Sequence, residues 1–430
     1  MIQQQDTTDP KTLPNRQQRI ENALWGLFAG DALAMPAHWF YQLENIHKTF
    51  DGGIRGYEAA PHPHPESFMV GMGYHPDISK AQQLGRPYDI LHDSAKFYET
   101  SYTKLQIATG EREAAHGNST PTKEERYHYH HGLAKGENTV AAQLVRVLMR
   151  SVAENGRYDE RHFLDSFVQF LTTPGSRKDP YTEIYLRSWF ENYSRGLPAT
   201  ACAERQRNVW SIGSHGGMIR PMVLSLLAAT EYQGLGFAAE HQNLTHRSEN
   251  VTAALGVTVP LLHDLLEGHD AIDAAQNRSR HMRVPKLTGE DLHQLYSTHR
   301  GPGNIPYRQM WELHSDLSAE NFDLGRLVAE NEVADVVLKK FGTVCYPEHG
   351  LPLMLFLAAK HGFSAEPALL ANVNAGGDNV HRGAVLGLLV GAATDTGDAF
   401  SHLRNGLADA EAIGEEIAAF AQVAATGKPW

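Results

Sequence analysis

A chain of 430 residues with 42% hydrophobic and 20% charged side chains has the make-up of a globular protein able to bury a sizeable core. Its net charge of −12 excludes the basic footprint of a nucleic-acid binder, and no Lys/Arg run offsets it. Only two cysteines, Cys202 and Cys345, occur, with no CxxC spacing, so neither a zinc knuckle nor a disulfide framework is supported, and no apolar run reaches membrane-spanning length. The polar stretch from Met1 to Gln18 lacks the apolar core of a signal peptide, so the expectation is a cytoplasmic protein. The unusual number is 24 histidines.

In chain order, Ile20, Ala23, Leu24, Leu27 and Phe28 fall on one face of a helix predicted over about 15–35. Pro36 ends it, and Trp39, Phe40 and Tyr41 follow as core or cleft wall. Residues 49–132 are rich in Gly, Pro and His, with no apolar period. A short helix near 90–99 is expected there, and so long an aperiodic stretch predicts a cap over a site. Val140, Leu144, Val147 and Leu148 resume helical spacing as far as Gly156. Asp159, Thr182, Ser248, Thr288, Ser318 and Ser364 read as N-caps, and 218–230 and 251–266 as core helices. A second loop-rich stretch covers 300–306. Near the C-terminus, Gly383, Gly387 and Gly391 recur on one face of an apolar helix, a spacing that lets another backbone approach. Strand-like alternation is scarce and no solenoid period occurs, so the predicted class is all-α, one domain over 1–430.

Three polar clusters interrupt this apolar pattern. Asp31 lies inside the first helix, and a buried carboxylate needs a partner, so it either bonds a neighbouring loop or serves a site. His38 follows where that helix ends. Glu137 and Asn138 open the Val140 helix, a place where first-turn and capping residues are common. Asn374-Ala375-Gly376-Gly377-Asp378-Asn379-Val380-His381 opens the glycine helix, and a helix N-terminus suits anions and ligand oxygens. His215 and Arg220 either meet a substrate phosphate or cap the helix at Met218. The expectation is that these ends surround one pocket.

Taken in order, the blocks Gly30-Asp31-Ala32-Leu33-Ala34-Met35-Pro36-Ala37-His38, Gly136-Glu137-Asn138-Thr139, Gly213 to Pro221, Thr245-His246 and Asn374 to Ala384 resemble those of the ADP-ribosylglycohydrolase family. That resemblance implies a single-domain orthogonal helical bundle with a central cleft. It also implies hydrolysis of an N- or O-glycosidic bond at the ribose anomeric carbon with two magnesium ions. The family's ligand positions fall on Gly136, Glu137 and Asn138, then on Asp378, Val380 and His381. Four carboxylates shrink to two, and Val380 offers no donor, so a two-magnesium site is not expected. One divalent ion on Glu137, Asn138, Asp378 and His381 is expected, or none, with the imidazole favouring a softer metal than magnesium.

The function expected is a divergent glycohydrolase acting on a small nucleoside-like or ADP-ribosylated substrate, with no nucleic-acid or membrane partner. Glu137 and Asp378 would be the carboxyl pair serving an oxocarbenium-like state, with His38 or His381 protonating the leaving group. Asp31, Asn138, Asn379, Gly376, Gly377, His215 and Arg220 would line the substrate. The alternative is a non-catalytic relative that binds ADP-ribose or a nucleotide, or merely keeps the fold as a lens crystallin does. A metal store is disfavoured, because His128, His130 and His131 lack helical i, i+4 spacing.

Overall fold

The computed structural model describes residues 16–66, 73–97, 124, 126–285, 288–298, 320–337, 339–398 and 400–426, and helices dominate them. Extended pairing among these residues is slight. Glu204–Arg205 runs parallel to His246–Arg247, Arg283–Val284 runs antiparallel to Glu320–Asn321, and one isolated bridge joins Val337 to Phe341. The all-α class holds. No helix among the described residues is long and apolar enough to cross a membrane.

The first helix, Arg16–Ala34, is buried on every side from Asn22 onward, more than its one-face apolar stripe predicts. Its partner explains this. The Asn379–Ala392 helix is buried throughout and lies against it, backbone to backbone. A Cβ at Gly26 would stand 2.1 Å from the Gly387 carbonyl oxygen, one at Gly30 2.2 Å from that of Gly383, and one at Gly391 2.2 Å from that of Asn22. The pairs fix an antiparallel register in which glycine is the only residue that fits.

Elsewhere the caps act as their chemistry suggests. Asp159 accepts from the Arg161 and His162 amides, and Ser248 from Val251, opening the helices Glu160–Thr172 and Glu249–Leu266. Thr288 accepts from the Asp291 amide at the start of Gly289–Thr298. Ser364 heads Ala365–Asn374 without a side-chain bond, and Glu183, not Thr182, occupies the cap of Ile184–Ser194. The helix expected over 218–230 runs Gly216–Ser225 and stops short of Thr230, which instead caps the next helix, Glu231–Asn243, by accepting from the Gln233 amide. Residues 92–97 are helical where a short helix was expected at 90–99, whose last two residues lie outside the described ones, as do Ser318 and 300–306. Within 49–132, His64, His128 and His130 are buried, so the described part of this stretch contributes to the core.

Candidate functional site

The glycine register decides what meets what. With Gly30 opposite Gly383, the short turn Met35–Ala37 and then His38 arrive at the N-terminus of the Asn379–Ala392 helix. The joint is made of backbone. The Trp39 amide donates to the Gly377 carbonyl at 2.7 Å, the Gly377 amide donates to the Phe40 carbonyl at 2.7 Å, and the Asp378 amide donates to Thr343 at 2.8 Å. Gly376 and Gly377 both lie at positive φ, +66° and +67°, where a Cβ would sit 2.2 Å from the Phe40 oxygen and 2.0 Å from the Thr343 oxygen. The structure thus corrects their expected role: these glycines are packing joints whose polar groups are taken, not a substrate cradle. Trp39, itself at φ 61°, turns the chain so that its ring stacks on His38 at 3.9 Å.

The result is a buried row of six groups, three carboxylates and three imidazoles. The Asp179 carboxylate meets His130 Nδ1 at 3.0 Å, and His130 Nε2 meets His38 Nδ1 at 2.7 Å. His38 Nε2 meets Asp378 Oδ1 at 3.0 Å, and the same oxygen lies 3.0 Å from His381 Nδ1. His381 Nε2 then reaches Glu183 Oε1 at 3.4 Å. Asp378 and His38 have no exposed surface, and His215 flanks them with Nδ1 3.8 Å from Asp378 Oδ2. Neither ring nitrogen of His215 makes a well-formed hydrogen bond, although the Tyr346 backbone lies near enough to favour its charged form.

Electrostatics polarises this row. Burial alone would raise Asp378, but His381 and His38 hold it well below the usual carboxylate range. Burial alone would lower His381, yet Asp378 and Glu183 hold it well above its ordinary value. Burial dominates at His38, pushed down to about 3, and at His215, pushed down to about 4. The corner therefore pairs a committed carboxylate with an imidazolium beside it.

His38, Asp378, His381 and His215 come together as expected; the rest do not. Glu137 is the main correction. Its carboxylate is bound by Lys178 and the Ala134 amide, in a surface cavity of about 430 Å³ that includes Asn138, Arg146 and Asp409 but none of His38, Asp378 and His381. The lysine that pairs it is largely exposed at the rim. Asn138 donates to Asp31 and to the Phe28 carbonyl, and Thr139 donates to Asp31 through both its amide and its hydroxyl. Asp31 is thus the partner that holds the start of the Val140 helix, the plainer of its two readings. Asn379 donates to the Ala37 and Val373 carbonyls and ties the joint together. Arg220 is buried within the Gly216–Ser225 helix and donates to Tyr185 and Thr245, so it does not cap that helix.

Three members of the row, His130, Asp179 and Glu183, were not among the expected site residues. The clustering of His128, His130 and His131 was visible, but nothing in the sequence marks which ring turns inward. Asp179 and Glu183 stand in ordinary pre-helical positions, with no motif to single them out.

The donors present do not fit the two magnesium ions that the resemblance implies. Asp378 is the only carboxylate in the one compact ligand group among the described residues, His38, Asp378 and His381, whose donor atoms lie within 4.8 Å of one another. Magnesium requires several hard oxygens, and Val380 and the remote Glu137 supply none there.

Comparison with known proteins settles the family. The ADP-ribosylglycohydrolase family model matches residues 12–429. No curated protein sequence matches the chain. Among solved structures, an ADP-ribosylglycohydrolase-related protein complex is similar over 96% of this chain and 100% of that one, with a TM-score of 0.51 and 17% identity, a likeness of fold. With a family model spanning almost its whole length, the chain belongs to the ADP-ribosylglycohydrolase family.

Proposed function

We propose that this chain hydrolyses an N-glycosidic bond to a ribosyl group, in a small nucleoside-like or ADP-ribosylated molecule in the cytoplasm, at the corner formed by His38, Asp378 and His381. The observation that carries the reading is the position of His381 between Asp378 and Glu183. An imidazole held charged at neutral pH is a proton donor for a leaving nitrogen. An anionic carboxylate beside it faces the positive charge that grows on the anomeric carbon. Glu183 takes the second-carboxylate place for which Glu137 was expected. His38 orients Asp378, and Trp39, stacked on His38, offers an aromatic wall for a base. One divalent ion at Asp378 and His381 is the most this corner accepts.

Burial favours a second reading. Asp378 and His38 are sealed from solvent, which suits a non-catalytic relative whose row only stabilises the fold or binds nucleotide. Turnover of a panel of ribosides by the wild-type protein and by Asp378→Asn, each with and without chelator, separates the two. Release of free ribose or ADP-ribose by wild type alone supports hydrolysis. Saturable nucleotide binding without release supports the second reading.

A further inference from the structure

The short parallel pair of Glu204–Arg205 and His246–Arg247 has two unlike faces. Side chains alternate along a strand, so registered partners share a face. On the inner face His246 is buried, its ring 4.1 Å from that of Tyr185. On the outer face the register sets Arg205 directly opposite Arg247. Two guanidiniums held side by side repel, so the arrangement is unfavourable unless an anion lies between them. Among the described residues no carboxylate pairs with either, and the one side-chain bond they make is from Arg247 to the Thr200 carbonyl at 3.4 Å. Glu204, the nearest carboxylate in sequence, accepts instead from the Arg205 amide and from Asn208.

Both arginines line a surface cavity of about 330 Å³ whose wall includes Gln206, Arg207, Ser248 and Glu249, and none of His38, Asp378 and His381. Arg207 is the one cation already matched, by Glu249 at 3.0 Å. Three guanidiniums against one carboxylate leave this wall two positive charges in surplus, on a chain whose net charge is −12. The Glu249–Leu266 helix starts in the same wall, and its first-turn amides add partial positive charge. Gln206 is only 6% exposed; its Oε1 accepts from Ser248, and its Nε2 is buried without an acceptor. A buried NH₂ group ordinarily has a partner. All these donors lack the same thing, an acceptor that carries negative charge.

We infer that this cavity is a second binding site, taking the phosphate group of a small phosphorylated metabolite, with Arg205 and Arg247 as its principal ligands. The inference goes beyond the reading of the His38 corner and does not depend on it. A guanidinium fork matches phosphate oxygens two at a time, and a dianion between Arg205 and Arg247 turns their repulsion into attraction. A nucleic acid fits less well, because three arginines in one concavity give no continuous track and the rest of this acidic chain repels a polyanion.

The test is calorimetric titration of the full-length protein with inorganic phosphate, then with pyrophosphate, at low ionic strength. One phosphate per chain is expected. Arg205→Gln and Arg247→Gln should each weaken it by about tenfold or more, and the double variant should bind none measurably. Glu249→Gln removes the competing carboxylate and frees Arg207, so it should tighten phosphate by about two- to five-fold. Arg280→Gln, outside the cavity wall, should change nothing. Melting curves in phosphate-free buffer show that each variant folds; if Arg247→Gln does not, Arg205→Gln and Glu249→Gln, both at exposed side chains, decide. Wild-type phosphate affinity in the arginine variants, or no phosphate bound by the wild type at millimolar concentration, overturns the inference. A single-stranded oligonucleotide that binds where phosphate and pyrophosphate do not overturns it too.

Discussion

Two helix starts in this protein carry similar polar clusters and meet opposite fates. The Asn379–Ala392 helix begins with Asp378 and His381 locked in a sealed row, whereas the Val140–Asn155 helix begins beside Glu137 at the rim of a surface cavity. The difference lies in their partners. Glycines at 383, 387 and 391 let the first helix approach to backbone contact, and this carries His38 onto Asp378. At the other start, Asp31 claims Asn138 and Thr139, while Glu137 pairs with the exposed Lys178. A motif becomes a site only when packing brings a second polar element against it.

The widest break between the two regions should appear in activity. Asp378→Asn should lower riboside hydrolysis by about three orders of magnitude or more, because the groups of a concerted site are not additive. An initial-rate assay that finds near-wild-type turnover would refute the assignment of the corner.

Acid should separate the regions next. Burial pushes His64 down to about 3 and His263 down to about 4, and lowers His128, His241 and His246 well below the ordinary 6.5. A histidine whose folded pKa is depressed contributes stability that is present above 6.5 and lost as pH falls toward the folded value. At pH 5 each such group costs up to about 2 kcal/mol. His381, raised instead, adds nothing to this loss, since its contribution is fully present below 6.5 and is lost only as pH climbs through its elevated pKa. Denaturant midpoints should therefore fall steeply between pH 6.5 and 4; a flat profile there would contradict the burial of these rings.

Packing gives the third contrast. A side chain at 387 has no room, since even a Cβ would sit 2.0 Å from the Gly26 oxygen. Gly387→Val should cost about 3 kcal/mol, at the upper end of overpacking penalties, and should disturb His38 as well. Urea melts measure the first effect, and the His38 imidazole NMR signals report the second.

The smallest effect sharpens the comparison most. Glu137→Gln removes a rim ion pair and should change stability by less than about 1 kcal/mol and turnover by no more than a few-fold. A large loss of turnover with normal melting would return Glu137 to the site.

Much of this was legible beforehand, for stated reasons. The 3.6-residue period, the caps at Asp159 and Ser248, and the spaced glycines are local consequences of helix geometry, so class, element positions and close backbone packing could be read from residues alone. Asp378, His38 and His381 stood out because polar groups at apolar helix ends demand partners. Glu137 misled because its motif position says nothing about which way a rim side chain turns.

By itself, then, the chain determined an all-helical bundle, a glycine-faced helix and three of the groups at its head, since each follows from spacing or from the cost of burying charge. Only the tertiary structure decided that Asp179, His130 and Glu183 complete the row. Those residues are separated from His38 and Asp378 by from about ninety to about two hundred and fifty positions, and no local rule couples side chains across such distances. Antiparallel contact between two glycine faces does so, by setting one register for everything attached to them.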